Sequence, residues 1–161
     1  MLHTRSVQVF LIRHAEAIDE TLAIRDPHRH LTPHGRDQAR GLGDRLRWHD
    51  CLPTLFLTSP LVRAVQTAEL VAANVHATCP VTVAPDLAPD GDPKAVAAAI
   101  AKLPPASAVV LVGHEPGLSA VGAIVTGDPE FEALGKSEAA RIVDGKLKWR
   151  FAWDADAPAP A

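Results

Sequence analysis

Three apolar runs of strand length each lead into arginine or histidine, and this recurrence constrains the fold more than any other feature of the chain. The junctions are Arg13-His14 after residues 7–12, Arg63 after residues 55–60, and His114 after residues 108–113. Helix-like segments separate the runs, and strands that alternate with helices favour a mainly parallel sheet. The carboxyl ends of parallel strands open onto one crevice, so we expect these side chains to meet there.

Capping residues and prolines mark where the helices begin. The predicted starts are Thr32-Pro33, Ser59-Pro60, Asp92-Pro93 and the residues after Pro116. Helical spacing predicts one buried stripe per helix: Ala39, Leu42 and Leu46 in the first, and Leu61, Val65, Ala68 and Ala72 in the second. The pattern as a whole predicts an α/β fold, a three-layer α/β/α sandwich around a mainly parallel sheet.

The C-terminal part of the chain has a different pattern. Asp144-Gly145 is a hairpin signal between residues 139–143 and 147–153, which we predict to pair antiparallel at one edge of the sheet. Strict alternation predicts one shared face for Leu147, Trp149, Phe151 and Trp153. We expect one domain over residues 1–154, followed by a disordered tail of small residues and proline, 155–161.

Bulk properties exclude several classes of partner. The length of 161 residues suits one domain, and a net charge of −3 gives no support for a nucleic-acid partner. The first apolar run is too short for a membrane span or a signal-peptide core, so we expect a cytoplasmic protein without a membrane partner. Cys51 and Cys79 lack metal-type or redox-type spacing; we interpret them as two reduced thiols, and a structural disulfide is the alternative.

Two arginines and two histidines in one crevice would suit a phosphoryl group. A neutral His14, held through Nδ1–H by a carbonyl, would leave Nε2 free to attack phosphorus. The planar fork of Arg13 would neutralise the phosphoryl oxygens. His114, protonated when phosphate is bound, would donate a hydrogen bond to the transferred group. The alternatives are a histidine bonded to a loop carbonyl for His14 and a helix N-cap for His114.

Arg63 lies in the opening turn of a predicted helix, where the positive end of the dipole disfavours a cation and favours an anion. A bound phosphate would explain this placement, and a solvated surface arginine is the alternative. Arg29 ends the long polar loop 15–31 and could reach the same phosphate. The spacing of His28, His30 and His34 fits no standard zinc site, so we expect neither a metal nor a cofactor.

Taken together, these residues resemble the histidine phosphatase superfamily. Four blocks occur in the family's order: Leu11-Ile12-Arg13-His14-Ala15-Glu16, Arg29-x-Leu31-Thr32-x-x-Gly35, Ser59-Pro60-Leu61-x-Arg63-Ala64-x-Gln66-Thr67-Ala68 and Val112-Gly113-His114-Glu115-Pro116. The chain is short, and with Arg-His-Ala-Glu-Ala it looks like the small SixA-type branch. The resemblance implies that His14 is the nucleophile, that Arg13, Arg63 and His114 complete the phosphate pocket, and that Arg29 assists. It also implies that the substrate is phosphohistidine on a signalling protein.

The general acid of larger family members has no clear counterpart in this sequence. Asp90, Glu16 and Glu115 are the candidates, and we place Arg29, Glu16 and Glu115 among the substrate-binding residues. A weak acid site would suit a labile P–N bond, because an alkoxide leaves slowly without a proton donor. The alternatives are a small-molecule phosphomonoester phosphatase or mutase of the same superfamily and a module that binds phosphate or a phosphoprotein without catalysis.

Overall fold

A seven-stranded sheet forms the centre of the molecule, which a computed structural model describes over residues 6–155 and 159–160. The strands are β1 (Gln8–Arg13), β2 (Leu55–Thr58), β3 (Val81–Val83), β4 (Ala108–Gly113), β5 (Glu138–Val143), β6 (Lys146–Ala152) and β7 (Ala159–Pro160). Their order across the sheet is β3-β2-β4-β1-β5-β6-β7. The four strands from β3 to β1 are parallel, and β5 and β6 continue the sheet antiparallel. This arrangement confirms the predicted sheet.

Two apolar clusters fix the helices to opposite faces of this sheet. The helices are α1 (Pro33–Trp48), α2 (Val62–Val75), α3 (Pro93–Ala101) and α4 (Gly117–Thr126). Phe10 and Ile12 of β1 pack with residues of α1 and α2, whereas Val9 and Leu11 pack with residues of α3 and α4. Alternate side chains of a strand point to opposite faces, so β1 is buried on both sides. The three-layer α/β/α sandwich is therefore confirmed.

Local capping chemistry starts α1 and α3 where the sequence predicts. The side chain of Thr32 accepts a hydrogen bond from Gly35 N, and that of Asp92 accepts one from Lys94 N. The prediction for α2 is wrong by two residues: this helix begins at Val62, and Ser59 does not cap it. Its hydroxyl instead lies within hydrogen-bond distance of His114, which follows β4.

The buried face of α2 also differs from the predicted stripe. Its buried residues are Arg63, Ala64, Thr67, Ala68, Val71 and Val75, while Leu61, Val65 and Ala72 are half-buried. Arg63 and Thr67 point inward, so the apolar stripe is rotated to their neighbours Ala64, Ala68 and Val71. The buried face of α2 therefore carries Arg63 and Thr67 beside its apolar residues.

The C-terminal hairpin forms as predicted, but its alternation is broken once. A β-bulge lies between Arg141 and Ile142, which pair with Trp149 and Leu147 respectively. The extra residue reverses the side of the sheet on which the next side chain lies. Leu147 consequently packs in the cluster around α3 and α4, while Trp149, Phe151 and Trp153 pack in the cluster around α1 and α2.

Of the predicted disordered tail, residues 156–158 and 161 lie outside the described residues, and Ala159–Pro160 pairs with β6. Cys51 and Cys79 are both free thiols, as interpreted from the sequence. Over the part of the chain that the structure describes, no helix has the length and apolar character that crossing a bilayer requires.

Candidate active site

Strand register brings the predicted site residues to one edge of the sheet. Ile12 and Thr58 both pair with Val112, so β1, β2 and β4 end side by side. His14 N donates to Gly113 O at 3.1 Å, and Ser59 N donates to Val112 O at 2.9 Å. The chain therefore leaves all three strands at the same level, and the residues that follow them share one crevice.

The structure brings His14 and His114 together in that crevice with Arg63. The two imidazole rings lie 5.1 Å apart between centroids. His14, Arg63 and His114 are 6%, 6% and 7% exposed, which is unusual for side chains that can carry charge. Since such groups are rarely buried without a purpose, their burial together supports a functional pocket.

His14 has the tautomer and the protonation state of a nucleophile. Its Nδ1 lies 2.8 Å from the carbonyl oxygen of Ala15, which can only accept, so Nδ1 carries the proton. Burial lowers the pKa of His14 from 6.5 to about 3, aided by the positive charges of Arg63 and Arg13 and by His114. The imidazole is therefore neutral at physiological pH, and Nε2 presents a lone pair.

His114 is held through Nε2, whereas His14 is held through Nδ1. Its Nε2 lies 2.7 Å from the hydroxyl oxygen of Ser59, and its Nδ1 is buried without a hydrogen-bond partner. Burial, followed by the nearby charge of Arg63, lowers the pKa of His114 to about 4. The sequence predicts a protonated His114 when phosphate is bound; without an anion, the surroundings favour the neutral ring.

Arg63 is anchored to the loop between β1 and α1 through Asp26. Its Nη1 donates to Asp26 O at 2.9 Å, and its Nη2 lies 3.5 Å from Asp26 Oδ2. Arg29 donates to the same carboxylate at 2.9 Å and to Ile18 O at 2.6 Å. Arg29 and Arg63 are therefore linked by the carboxylate of Asp26, which contacts both guanidinium groups. The hydrogen bond from Arg29 and the charge of Arg63 lower the pKa of Asp26, which stays ionised.

Arg13 is oriented by the backbone of Leu134. Arg13 Nη1 donates to Leu134 O at 3.1 Å, and Leu134 N donates to Glu115 Oε2 at 2.7 Å. The other oxygen of Glu115 accepts from Ser119 N at 2.9 Å and from Ser119 Oγ at 2.7 Å. The sequence predicts that Glu115 binds substrate; each of its oxygens accepts from a protein donor, and Glu115 lines the cleft beside His114. The backbone of Leu134 links Glu115 to Arg13.

The other two acid candidates are Glu16 and Asp90. The hydroxyl of Thr32 donates to Glu16 Oε2 at 2.6 Å, so Glu16 supports the start of α1. Asp90 is exposed in the turn before α3. A cleft of about 220 Å³ is lined by His114 and by Asp86, Leu87, Pro89, Glu115 and Pro116, among others. Asp90 does not line this cleft.

Three buried nitrogen atoms of the site lack hydrogen-bond partners: Arg13 Nε, Arg63 Nε and His114 Nδ1. An unpaired buried donor is costly, and native structures contain few of them. Donors from three separate segments, together with Nε2 of His14, are groups of the kind that bind the oxygens and attack the phosphorus of a tetrahedral oxyanion. Within the described residues, no cluster of three His, Cys, Asp or Glu side chains could hold a metal ion. His34, for example, packs edge-on against Trp153.

The sequence reasoning missed three groups that set this geometry. Ser59 was interpreted as a helix cap because Ser-Pro is also a capping pattern. The Asp26-Arg29 spacing of three residues was a usable signal for an ion pair, although nothing in it pointed to Arg63. The backbone carbonyl of Leu134 has no sequence signature, since any residue supplies one.

Comparisons with known proteins agree with this geometry. A family model described as histidine phosphatase superfamily (branch 1) matches residues 9–88. Phosphohistidine phosphatase SixA of Escherichia coli K12 is 32% identical over 112 residues, which are 68% of this chain and 68% of that protein. An uncharacterized protein of Picosynechococcus sp. is 35% identical over 114 residues, 70% of this chain and 68% of its own. The structure of protein histidine phosphatase SixA complexed with tungstate has a TM-score of 0.81 at 25% identity, covering 91% of this chain and 97% of that one.

Proposed function

This chain belongs to the histidine phosphatase superfamily, and on that premise we propose that it removes phosphate from phosphohistidine on a signalling protein through a phosphoenzyme formed at His14. The observation that carries the proposal is the neutral imidazole of His14, whose proton is held on Nδ1, in a site whose other residues include three buried nitrogen atoms without partners. The similarity to a phosphohistidine phosphatase and to a tungstate-bound structure supports it, because tungstate is a tetrahedral oxyanion like phosphate.

In the first step, Nε2 of His14 attacks phosphorus in line with the leaving group. The bond from Nε2 to phosphorus forms as the bond from phosphorus to the substrate nitrogen breaks. Arg13 and Arg63 neutralise the phosphoryl oxygens, and His114 donates from Nδ1. The carbonyl of Ala15 stabilises the charge that develops on His14, because Nδ1–H remains bonded to it. Water then attacks the phosphoenzyme, which releases phosphate and restores the neutral imidazole.

The protein groups around the pocket suit a nitrogen leaving group better than an oxygen one. A phosphorylated imidazole can take up a proton from solvent at its second ring nitrogen, away from phosphorus, and then leaves as neutral imidazole. An alkoxide needs its proton at the oxygen that leaves. The charge of Asp26 acts on both Arg63 and His114. The lowered pKa of Asp26 keeps its carboxyl group ionised, so Asp26 is a poor acid.

A comparison of substrates tests this proposal. The purified protein is assayed on a phosphohistidine protein and on a series of aryl and alkyl phosphates. We expect turnover of phosphohistidine and, for the esters, values of kcat/KM that fall steeply as the leaving group becomes more basic, because kcat/KM reports the transfer of the phosphoryl group to His14. Values of kcat/KM that are independent of leaving-group basicity would require a general acid in the pocket and contradict the proposal.

Two variants sharpen this assay. His14→Asn should abolish turnover of every substrate. Asp90→Asn should leave every rate unchanged, because Asp90 is exposed and does not line the cleft. A strong preference for one alkyl ester, lost in Asp90→Asn, would instead support a small-molecule phosphatase that uses Asp90 as its acid.

A further inference from the structure

Ser59 connects two strand ends at the centre of the site. It follows β2, is 0% exposed, and places its hydroxyl oxygen 2.7 Å from Nε2 of His114, which follows β4. The same oxygen accepts a hydrogen bond from Leu61 N at 3.2 Å. The backbone of Ser59 is fixed on both sides, since its N–H bonds Val112 O and its carbonyl accepts from Thr58 Oγ1. The hydroxyl therefore has little freedom to turn elsewhere.

The hydrogen-bond inventory decides the direction of the contact with His114. A serine hydroxyl has one proton to donate and two lone pairs to accept with. Leu61 N uses one lone pair, and among the described residues Nε2 of His114 is the acceptor within reach of the Ser59 proton. If Nε2 carried a proton instead, the hydroxyl proton of Ser59 would be buried without an acceptor, which is unfavourable.

We propose that Ser59 is a positioning residue that holds neutral His114 in the tautomer with its proton on Nδ1, so that this nitrogen donates to the phosphoryl group. The role of that donor rests on the proposed function; the tautomer itself does not. Nδ1 of His114 is one of the buried nitrogens without a protein partner, and in the opposite tautomer it would present a lone pair to an anion. By fixing the Nδ1–H tautomer, the Ser59 hydroxyl replaces repulsion between this lone pair and the anion with a hydrogen bond.

This arrangement supplies a donor without requiring a second positive charge in the pocket. Burial and the neighbouring arginines oppose a cationic His114. A cationic ring would also donate from Nε2 and leave the Ser59 proton without an acceptor. His14 and His114 thus carry the proton on the same ring atom for different reasons: a carbonyl accepts from Nδ1 of His14, whereas a hydroxyl donates to Nε2 of His114.

Nitrogen NMR of the unliganded protein tests the tautomer directly. With labelled histidine and with His114→Asn to assign its signals, we expect Nδ1 of His114 to show the shift of a protonated ring nitrogen and Nε2 that of an unprotonated one. In Ser59→Ala, we expect the Nε2–H form to appear, which is the more common form of free histidine. An Nε2–H or doubly protonated His114 in the wild-type protein near neutral pH would overturn the proposal, whether or not the protein is a phosphatase.

Turnover then tests the consequence. Ser59→Ala should lower kcat by about 10- to 10³-fold, the upper value being the usual effect of losing one oxyanion donor. Ser107→Ala is the matched control, since it removes a buried serine hydroxyl at the opposite end of β4, whose partner is Pro104 O. It should keep the wild-type tautomer and lower kcat much less than Ser59→Ala. Thermal melts of both variants establish that they are folded.

A double-mutant cycle separates positioning from a general structural role. If Ser59 acts through His114, Ser59→Ala should have little further effect on kcat in a His114→Asn background. Equal effects in both backgrounds would overturn the proposal, as would an unchanged tautomer in Ser59→Ala. Ser59→Cys, which retains a weaker donor, should restore part of the Nδ1–H form.

Discussion

His14 should make the free energy of unfolding depend on pH between about 3 and 6.5. Burial lowers its pKa from 6.5 to about 3 in the folded protein. Between these values the unfolded chain binds a proton that the folded chain does not, so stability increases with pH and is lost as the pH falls. From near neutral pH to about pH 4, this one group should destabilise the fold by about 3 kcal/mol, at about 1.4 kcal/mol per pH unit.

Denaturant unfolding of the wild-type protein and of His14→Asn measures this effect. Both proteins are unfolded near pH 7 and near pH 4 in buffer free of phosphate, because a bound anion would add its own stabilisation. The wild type should lose about 3 kcal/mol more than the variant over this range. His114 is present in both proteins, so most of its own contribution cancels in the difference, although its electrostatic coupling to His14 is lost in the variant.

His76→Asn is the matched control. His76 is exposed and ends α2 in a left-handed conformation, with φ of 59°, that asparagine tolerates. His76→Asn should lose as much free energy of unfolding between pH 7 and pH 4 as the wild type does. If His14→Asn lost as much stability on acidification as the wild type, His14 would not be a buried neutral imidazole, and the assignment of its lone pair would fail.

Three further predictions address the arginines, the acid network and metals. Arg63→Lys should lower kcat by about 10²- to 10³-fold in steady-state kinetics, because an ammonium group lacks the planar fork with which the guanidinium bonds Asp26 and still keeps Nε–H without a protein partner. An unchanged kcat would remove Arg63 from the mechanism. Glu115→Gln should reduce the free energy of unfolding by about 1–3 kcal/mol in urea melts, because it weakens charge-assisted bonds to Ser119 and Leu134. A urea midpoint of Glu115→Gln equal to that of the wild type would show that these bonds contribute little to the free energy of unfolding. Treatment with a chelator should leave turnover unchanged, since no proposed step uses a metal, and a loss restored by added metal would refute that mechanism.

The parts of the fold that depend on local chemistry could be predicted from the sequence. Thr32 caps α1 because its hydroxyl reaches a backbone N–H three residues on, and β4 is buried throughout because its apolar run fits a strand covered on both faces. The convergence of His14, Arg63 and His114 followed from the rule that parallel strands end at one edge.

What the sequence did not predict depends on contacts between distant residues. The Ser59 hydroxyl reaches His114 across 55 positions, so the same residue that suggests a cap serves an imidazole instead. The bulge at Arg141 shifts Leu147 to the other face, although the alternation around it is regular. Nothing in the sequence around Glu115 predicts that its partners are Ser119 and Leu134. In each case the deciding partner lies on another segment.

Rapid-quench trapping of the phosphoenzyme tests the central claim most directly. The protein is mixed with a labelled phosphohistidine substrate, quenched within the first turnover under alkaline conditions that preserve phosphohistidine, and digested for mass spectrometry. We predict a phosphoryl group on His14, attached at Nε2, which forms before free phosphate appears and is absent in His14→Asn. Release of phosphate with no phosphorylated His14 at any time in the first turnover would contradict the account.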